Sequence, residues 1–280
     1  MSGAHNVLKW SFKELLSEVP STRFRAMISE RMPLKLEQVH TGAPVLSPGD
    51  HLLYFNPQRE TLDIDGYFKY QTPAALLHLP LPFKRRMWAL GAMSFKSPLR
   101  IDHSYECVET IKFVKKIRQD YYVGINRQIF ERGSKASSLD ELRTLVYTNS
   151  APAPLNPAVA HMQNPAATVR LTFDETDVFR YSSLTFNPHR VHWDHKYCTE
   201  VEGYPNTIVQ GPFIVHALLK YVQCLGLRVG SIKYKNSLYL NSGSTVELCV
   251  TAPVEGKCEA HVRDPQAPNI IFCKAALTLA

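Results

Sequence analysis

The sequence predicts an α+β chain built as two related halves. Each half is an antiparallel sheet wrapped on a central helix, and the two sheets join edge to edge into one. Three observations predict this. The stretch 212–225 is a helix with apolar residues on nearly every face, so it is buried on most sides. Four strand-like runs follow it directly. The first half also shows one helical region and several strand-like runs, in similar order. A sheet that curls around the helix covers it, and pairing the two sheets covers one open edge per half.

Residues 1–25 lack a secretory apolar core. They carry Lys9, Lys13, Arg23 and Arg25, with an amphipathic pattern around 7–16, while Glu14 and Glu18 run against a transit-peptide composition. The Pro- and Gly-rich region 41–85 reads as a long loop with a short helix near 73–78. Residues 87–95, 104–115, 121–130 and 142–148 are rich in aromatic and β-branched residues and read as strands. Arg132-Gly133-Ser134 turns the chain between two of them. The segment APAPLNPAVAHMQNPAA at 151–167 has almost no charge and reads as a linker, dividing the chain into 1–150 and 168–280.

In the second half 169–173 reads as a strand and 175–183 as a helix with Asp174 as N-cap. A further helical turn is expected at 195–201. The helix 212–225 is expected to have Gly211 at its N-cap, Pro212 at its first position and Gly226 at its C-cap. Strands follow at 231–239, 245–251, 258–263 and 270–279. Asn241-Ser242-Gly243 and Glu255-Gly256 supply turns between them.

At 280 residues and 45% hydrophobic content the chain can bury a substantial core. No apolar run is long enough to span a bilayer. The net charge of +7 is spread along the chain without regular basic and aromatic interleaving, which argues against nucleic acid. It suits an acidic protein or a phosphorylated small molecule better. The six cysteines form no C-x-x-C pair, so reduced, buried thiols are expected.

The chemistry concentrates in 181–213, where Asn187, His189, His192, Asp194 and His195 fall within nine residues, shortly before Gly211. Clustered imidazoles transfer protons near neutral pH, and a helix start offers free N–H groups to developing negative charge. A lone histidine is more often a satisfied structural one; three beside a helix-opening glycine favour function. The same residues suit zinc or iron, but no second ligand cluster accompanies them, so no metal is expected. Ser182, Ser183 and Thr185 lack a Gly-x-Ser-x-Gly elbow, so they read as helix-end hydrogen-bonding residues. Tyr181 either lines a pocket or packs. Arg190 either pairs with a carboxylate or meets a substrate phosphate. Arg85-Arg86 is a solvated face or part of a docking patch for an acidic carrier.

The stretch 184–192, Leu-Thr-Phe-Asn-Pro-His-Arg-Val-His, with His192-Trp193-Asp194 and Gly211, resembles the signature of the MaoC-like hot-dog hydratases. It is most similar to the branch holding the fungal mitochondrial 3-hydroxyacyl-thioester dehydratases type 2 and the mesaconyl-coenzyme A hydratases. Arg85-Arg86-Met87-Trp88-Ala89 and Ser97-Pro98-Leu99-Arg100-Ile101 extend the similarity into the first half.

The resemblance implies a double hot-dog fold and a hydro-lyase that converts (3R)-3-hydroxyacyl thioesters to trans-2-enoyl thioesters. It implies acyl carrier protein or coenzyme A thioesters as substrates, no cofactor, and the mitochondrial matrix as location; a monomer or homodimer is expected. It implies His192 as acid and base, and the Gly211 amide facing the thioester carbonyl. Asn187 would hold the leaving hydroxyl. Tyr181, His189, Arg190 and Pro212 would lie beside substrate, and Asp194 would either orient an imidazole or cap the next helical turn. One departure matters: the family's catalytic Asp falls on Asn187 and its Asn on His189, and an amide cannot accept a proton as a carboxylate does. The first half, without a histidine cluster, is expected to shape the acyl pocket. The rivals are a hot-dog thioesterase and a non-enzymatic acyl-thioester-binding module.

Overall fold

The computed structural model describes residues 8–29, 32, 44–154, 162 and 164–280. In the first half β1 (Lys9–Leu15) leads to α1 (Val19–Ser29), β2 (Val45–Leu46), α2 (Pro73–Leu77), β3 (Arg85–Phe95), β4 (Leu99–Arg100), β5 (Ser104–Ile117), β6 (Asp120–Glu131) and β7 (Ser137–Thr148). In the second, β8 (Ala167–Phe173) leads to α3 (Glu175–Leu184), α4 (Gly211–Cys224), β9 (Val229–Asn236), β10 (Ser244–Val250), β11 (Lys257–Arg263) and β12 (Ile271–Leu279).

Ten strands form one antiparallel sheet in the order β1-β5-β6-β7-β3-β9-β12-β11-β10-β8. The seam is β3 against β9, from Leu90 opposite Lys235 to Ser94 opposite Ser231. Outward from the seam, the long strands of each half come as second, fifth, fourth, third and first in chain order. The two halves are thus the same topology, as the sequence predicts, and this is the double hot-dog arrangement.

The halves differ in what the sheet wraps. In the second, α4 buries every residue from Phe213 to Val222 and packs on β3, β9, β10 and β11. In the first, the described residues between β2 and β3 hold no long helix, but a 3₁₀ turn, Asp50–Leu53, and the short α2. The space beside the 3₁₀ turn is filled by charge. Arg127, 1% exposed, lies 3.2 Å from Glu109 and 3.1 Å from Glu141, and donates to the Phe55 carbonyl. Burying such a set is tolerable only because each charge has a partner.

Several expectations are corrected. The pattern at 7–16, read as a leader-like amphipathic stretch, is the edge strand β1, whose burial alternates with period two; residues 1–7 lie outside the described residues. The helix α1 was not expected; it buries Phe24, Met27 and Ile28. Strand β7 begins five residues before the expected 142. The N-cap of α4 is Gln210, whose extended backbone carries the carbonyl that accepts from Ile214 N at 3.1 Å; Gly211 is the first helical residue. Leu225 is its C-cap, and Gly226 follows with φ +77°. Residues 155–161 and 163 of the segment expected to be a linker lie outside the described residues, and its last residue, Ala167, opens β8.

The strands at the second-half turns, the helix near 73–78 and the Asp174 cap stand where the sequence puts them, with Asp174 accepting from Asp177 N at 2.7 Å. All six cysteines are unpaired. Among the described residues no helix is long and apolar enough to cross a membrane.

Candidate active site

The site is built on the connection between α3 and α4. The end of α3 is tied off by Thr185, whose hydroxyl donates to the Tyr181 carbonyl at 2.7 Å. Phe186 then takes a left-handed conformation, φ +49°, and turns the chain. Asn187 stabilises the next bend by accepting from the His189 amide through Oδ1 at 3.1 Å. Arg190–His192 forms a 3₁₀ turn anchored by the Arg190 amide on the Asp65 carbonyl at 2.9 Å. That contact requires Gly66: a Cβ there would sit 2.6 Å from the Pro188 carbonyl. Gln210 locks the start of α4 onto α3 by donating to the Val178 carbonyl and the Ser182 hydroxyl, each at 2.8 Å.

His192 is 9% exposed, and its Nδ1 lies 2.8 Å from the Ile208 carbonyl oxygen. A carbonyl only accepts, so Nδ1 carries the hydrogen and Nε2 is left as a base. Burial pushes this imidazole down to about 4, against a smaller upward pull from the Ile208 bond, so it is neutral at pH 7. The ring stands perpendicular to His189, with centroids 5.2 Å apart.

Both rings line a cavity of about 450 Å³, as do Asn187, Gly211 and Pro212. This size suits a small-molecule site. The opposite wall comes from both halves, with Trp88 and Leu90 of β3, Leu145 of β7 and Asn236 of β9. Gly211, as the first residue of α4, has an amide with no intrahelical acceptor. Its lack of a side chain is enforced by packing: a Cβ would lie 2.8 Å from Asn236 Nδ2 and 2.9 Å from Trp88 Cε3. His192 and Gly211 therefore line one chamber.

Tyr181, Arg190 and Asp194 go elsewhere, while Arg85 and Arg86 also border the cavity. Tyr181 is fully buried and stacks on Phe213, centroids 4.4 Å apart; it packs rather than lining the cavity. Arg190 turns away from the cavity to Asp194 at 2.8 Å and lies over the Tyr197 ring. Asp194 accepts from the Tyr197 amide at 3.0 Å, so it caps the next turn and orients no imidazole. Arg85 and Arg86 are buried, not a surface docking patch. Arg86 grips Asp65 with contacts of 2.6 and 3.2 Å, and Arg85 donates to the Glu202 carbonyl.

Three residues that sequence reasoning passed over belong to the site. Asp65 and Tyr67 come from the loop before α2, and Glu202 ends the π-helical turn Tyr197–Glu202. Nε2 of His189 lies 3.6 Å from Asp65 and 3.9 Å from Glu202. Glu202 is separated from the last histidine of the cluster, His195, by six residues of unremarkable composition, and Asp65 lies more than a hundred residues before it, so spacing gave no signal.

A wrapped double sheet with an imidazole and a helix-opening amide in one cavity defines a MaoC-like dehydratase architecture. The solved MaoC-like dehydratase from Phytophthora capsici shares the fold, with TM-score 0.74 over 98% of this chain and 96% of that one at 10% identity. Residues 49–242 match the family described as hydroxyacyl-thioester dehydratase type 2. The mitochondrial hydroxyacyl-thioester dehydratase type 2 of Saccharomyces cerevisiae is 36% identical, covering 95% of this chain and 97% of its own. Its namesake in Schizosaccharomyces pombe is 29% identical, covering 75% and 77%. The chain belongs to the hydroxyacyl-thioester dehydratase type 2 family, and is accordingly a hydro-lyase.

Proposed function

We propose that the chain eliminates water from (3R)-3-hydroxyacyl thioesters to give trans-2-enoyl thioesters, reversibly, in mitochondrial fatty acid synthesis. The observation that carries this reading is the shared cavity of His192 and Gly211. His192 Nε2 takes the C2 proton. The Gly211 amide, aided by the dipole of α4, accepts the charge that builds on the thioester oxygen. Asn187 Oδ1 is occupied by the His189 amide, so its NH₂ is the end available to the 3-hydroxyl. Pro212 borders the same space.

The first half, 1–150, shapes the acyl pocket through Leu90 and Leu145, and the second, 168–280, carries the chemistry. The carrier is acyl carrier protein or coenzyme A; the net charge of +7 favours an acidic one. The matrix is the compartment, and a monomer or homodimer the working form.

The test is the absorbance of the enoyl conjugation during incubation with crotonyl-coenzyme A. Loss of signal that disappears in His192→Ala supports hydration. Release of free thiol instead makes the chain a thioesterase, and tight binding without turnover makes it a binding module.

A further inference from the structure

Behind the cavity-facing imidazoles lies a carboxyl group that the mechanism above leaves idle. Glu202 is 1% exposed, and its Oε1 has no hydrogen-bond partner. It lies 3.9 Å from His189 Nε2, which also lacks one. Asp65 is near the same nitrogen, at 3.6 Å, but is committed to Arg86. Nδ1 of His189 bonds no protein group among the described residues, and the ring lines the cavity. One imidazole thus links the chamber to a buried carboxyl.

The surroundings favour the neutral form of both groups. Burial, then the Asp65 charge, pushes the Glu202 carboxyl up to about 7, with Arg85, the Tyr197 hydroxyl and Arg86 pulling the other way. Cys198 and Tyr204 also face it. Burial, then His192 and Arg86, holds His189 well below the usual histidine range, and Tyr67 packs on its ring. A carboxylic acid beside an uncharged imidazole stores a proton without a buried ion pair.

We propose that His189 is the second acid–base catalyst of this site and that Glu202, acting through it, is its proton store. In dehydration the C2–H bond breaks and its proton passes to His192 Nε2. The freed electron pair forms the C2–C3 double bond as the C3–O bond breaks. The departing oxygen takes the proton of His189 Nδ1 and leaves as water. Glu202 gives its proton to His189 Nε2, so the imidazole ends neutral. The proton on His192 then passes through water in the emptied cavity to His189 Nδ1, and His189 Nε2 returns its proton to the Glu202 carboxylate, which restores the starting tautomer. Hydration is the reverse. Glu202 and His189 close to hydrogen-bonding distance with substrate bound, since such contacts are commonly longer in free enzymes. The relay supplies the proton that the Asn187 amide cannot.

This inference rests on the hydro-lyase reading. The competent enzyme holds one proton shared between Glu202 and His192, so both directions lose kcat/KM together as pH rises above about 7. The test is crotonyl-coenzyme A hydration by the full chain from pH 6 to 9, using wild type, Glu202→Gln, Glu202→Asp and His189→Asn. Glu202→Gln and His189→Asn are expected to lower kcat by about 100-fold with little change in KM. Glu202→Gln is also expected to lack the falling limb, while Glu202→Asp regains part of the rate and moves the limb.

A turning-over wild type with a folded Glu202→Gln that keeps kcat within threefold, or keeps the limb, overturns the relay alone. If Glu202→Gln does not fold, an unmoved limb in Glu202→Asp does the same. A wild type without turnover at any pH overturns the hydro-lyase reading itself.

Discussion

Gly211→Ala tests the geometry of the chamber with one methyl group. On helix propensity alone alanine would stabilise α4 by up to about 1 kcal/mol. Packing reverses the sign. The new Cβ would meet Asn236 Nδ2 at 2.8 Å, Trp88 Cε3 at 2.9 Å and the Trp88 carbonyl at 3.1 Å. Asn236 cannot simply swing away, because Nδ2 donates to that carbonyl at 3.0 Å, and the Trp88 ring is stacked on Tyr234. The start of α4 must therefore draw back from β3. Overpacking of this kind costs about 1–3 kcal/mol of stability. The larger effect falls on catalysis, since the amide moves with the helix. Losing one oxyanion donor costs about 3 kcal/mol, or 10²–10³ in kcat.

The assay is crotonyl-coenzyme A turnover beside the urea midpoint. The control is Gly230→Ala, whose Cβ meets nothing closer than 3.4 Å and should leave both measurements unchanged. If Gly211→Ala keeps kcat within threefold, the helix start does not aim at the reacting oxygen.

Three further outcomes are expected. Tyr181→Phe removes a buried hydroxyl that has no hydrogen-bond partner, so stability should hold or rise by up to about 1 kcal/mol with kcat unchanged; a tenfold loss of activity would return Tyr181 to the substrate. Arg127→Met should cost about 3–5 kcal/mol in urea unfolding, because Glu109 stays buried without its cation and Glu141 keeps Arg143 alone; a loss below 1 kcal/mol would contradict the network. His51, His192 and His216 are held by burial at about 3, 4 and 4, below their unfolded value of 6.5. Their contribution to stability is therefore complete above pH 6.5 and is lost as pH falls toward 4, on the order of 1 kcal/mol per pH unit for each. A urea midpoint that stays flat from pH 7 to pH 5 would refute it.

The sheet was legible because its interior strands carry dense aromatic and β-branched residues punctuated by turn signals such as Glu255-Gly256, where both residues have positive φ. The buried helix was legible from apolar residues on all sides. The edge strand β1 was not. Edge strands carry charge on their open side, and Lys9, Lys13 and Glu14 among Trp10 and Phe12 mimic an amphipathic leader. In the site, His192, Asn187 and Gly211 could be found because they crowd into one stretch of sequence. Arg86 and Glu202 could not. Charged residues are assigned to the surface unless a partner is known, and those partners, Asp65 and His189, arrive only through the tertiary fold. The shift of the α4 cap from Gly211 to Gln210 came from expecting glycine at the boundary, where the need for glycine is close packing against Trp88.

The chamber straddles the seam between β3 and β9, and its walls are shared by both repeats. Its width is therefore a mechanical property of the joint. A slight roll of one repeat on the other would open or narrow the slot for a fatty chain while leaving each set of side chains internally unchanged. On the proposed function, selectivity for tail length would depend partly on the stiffness of a five-rung ladder.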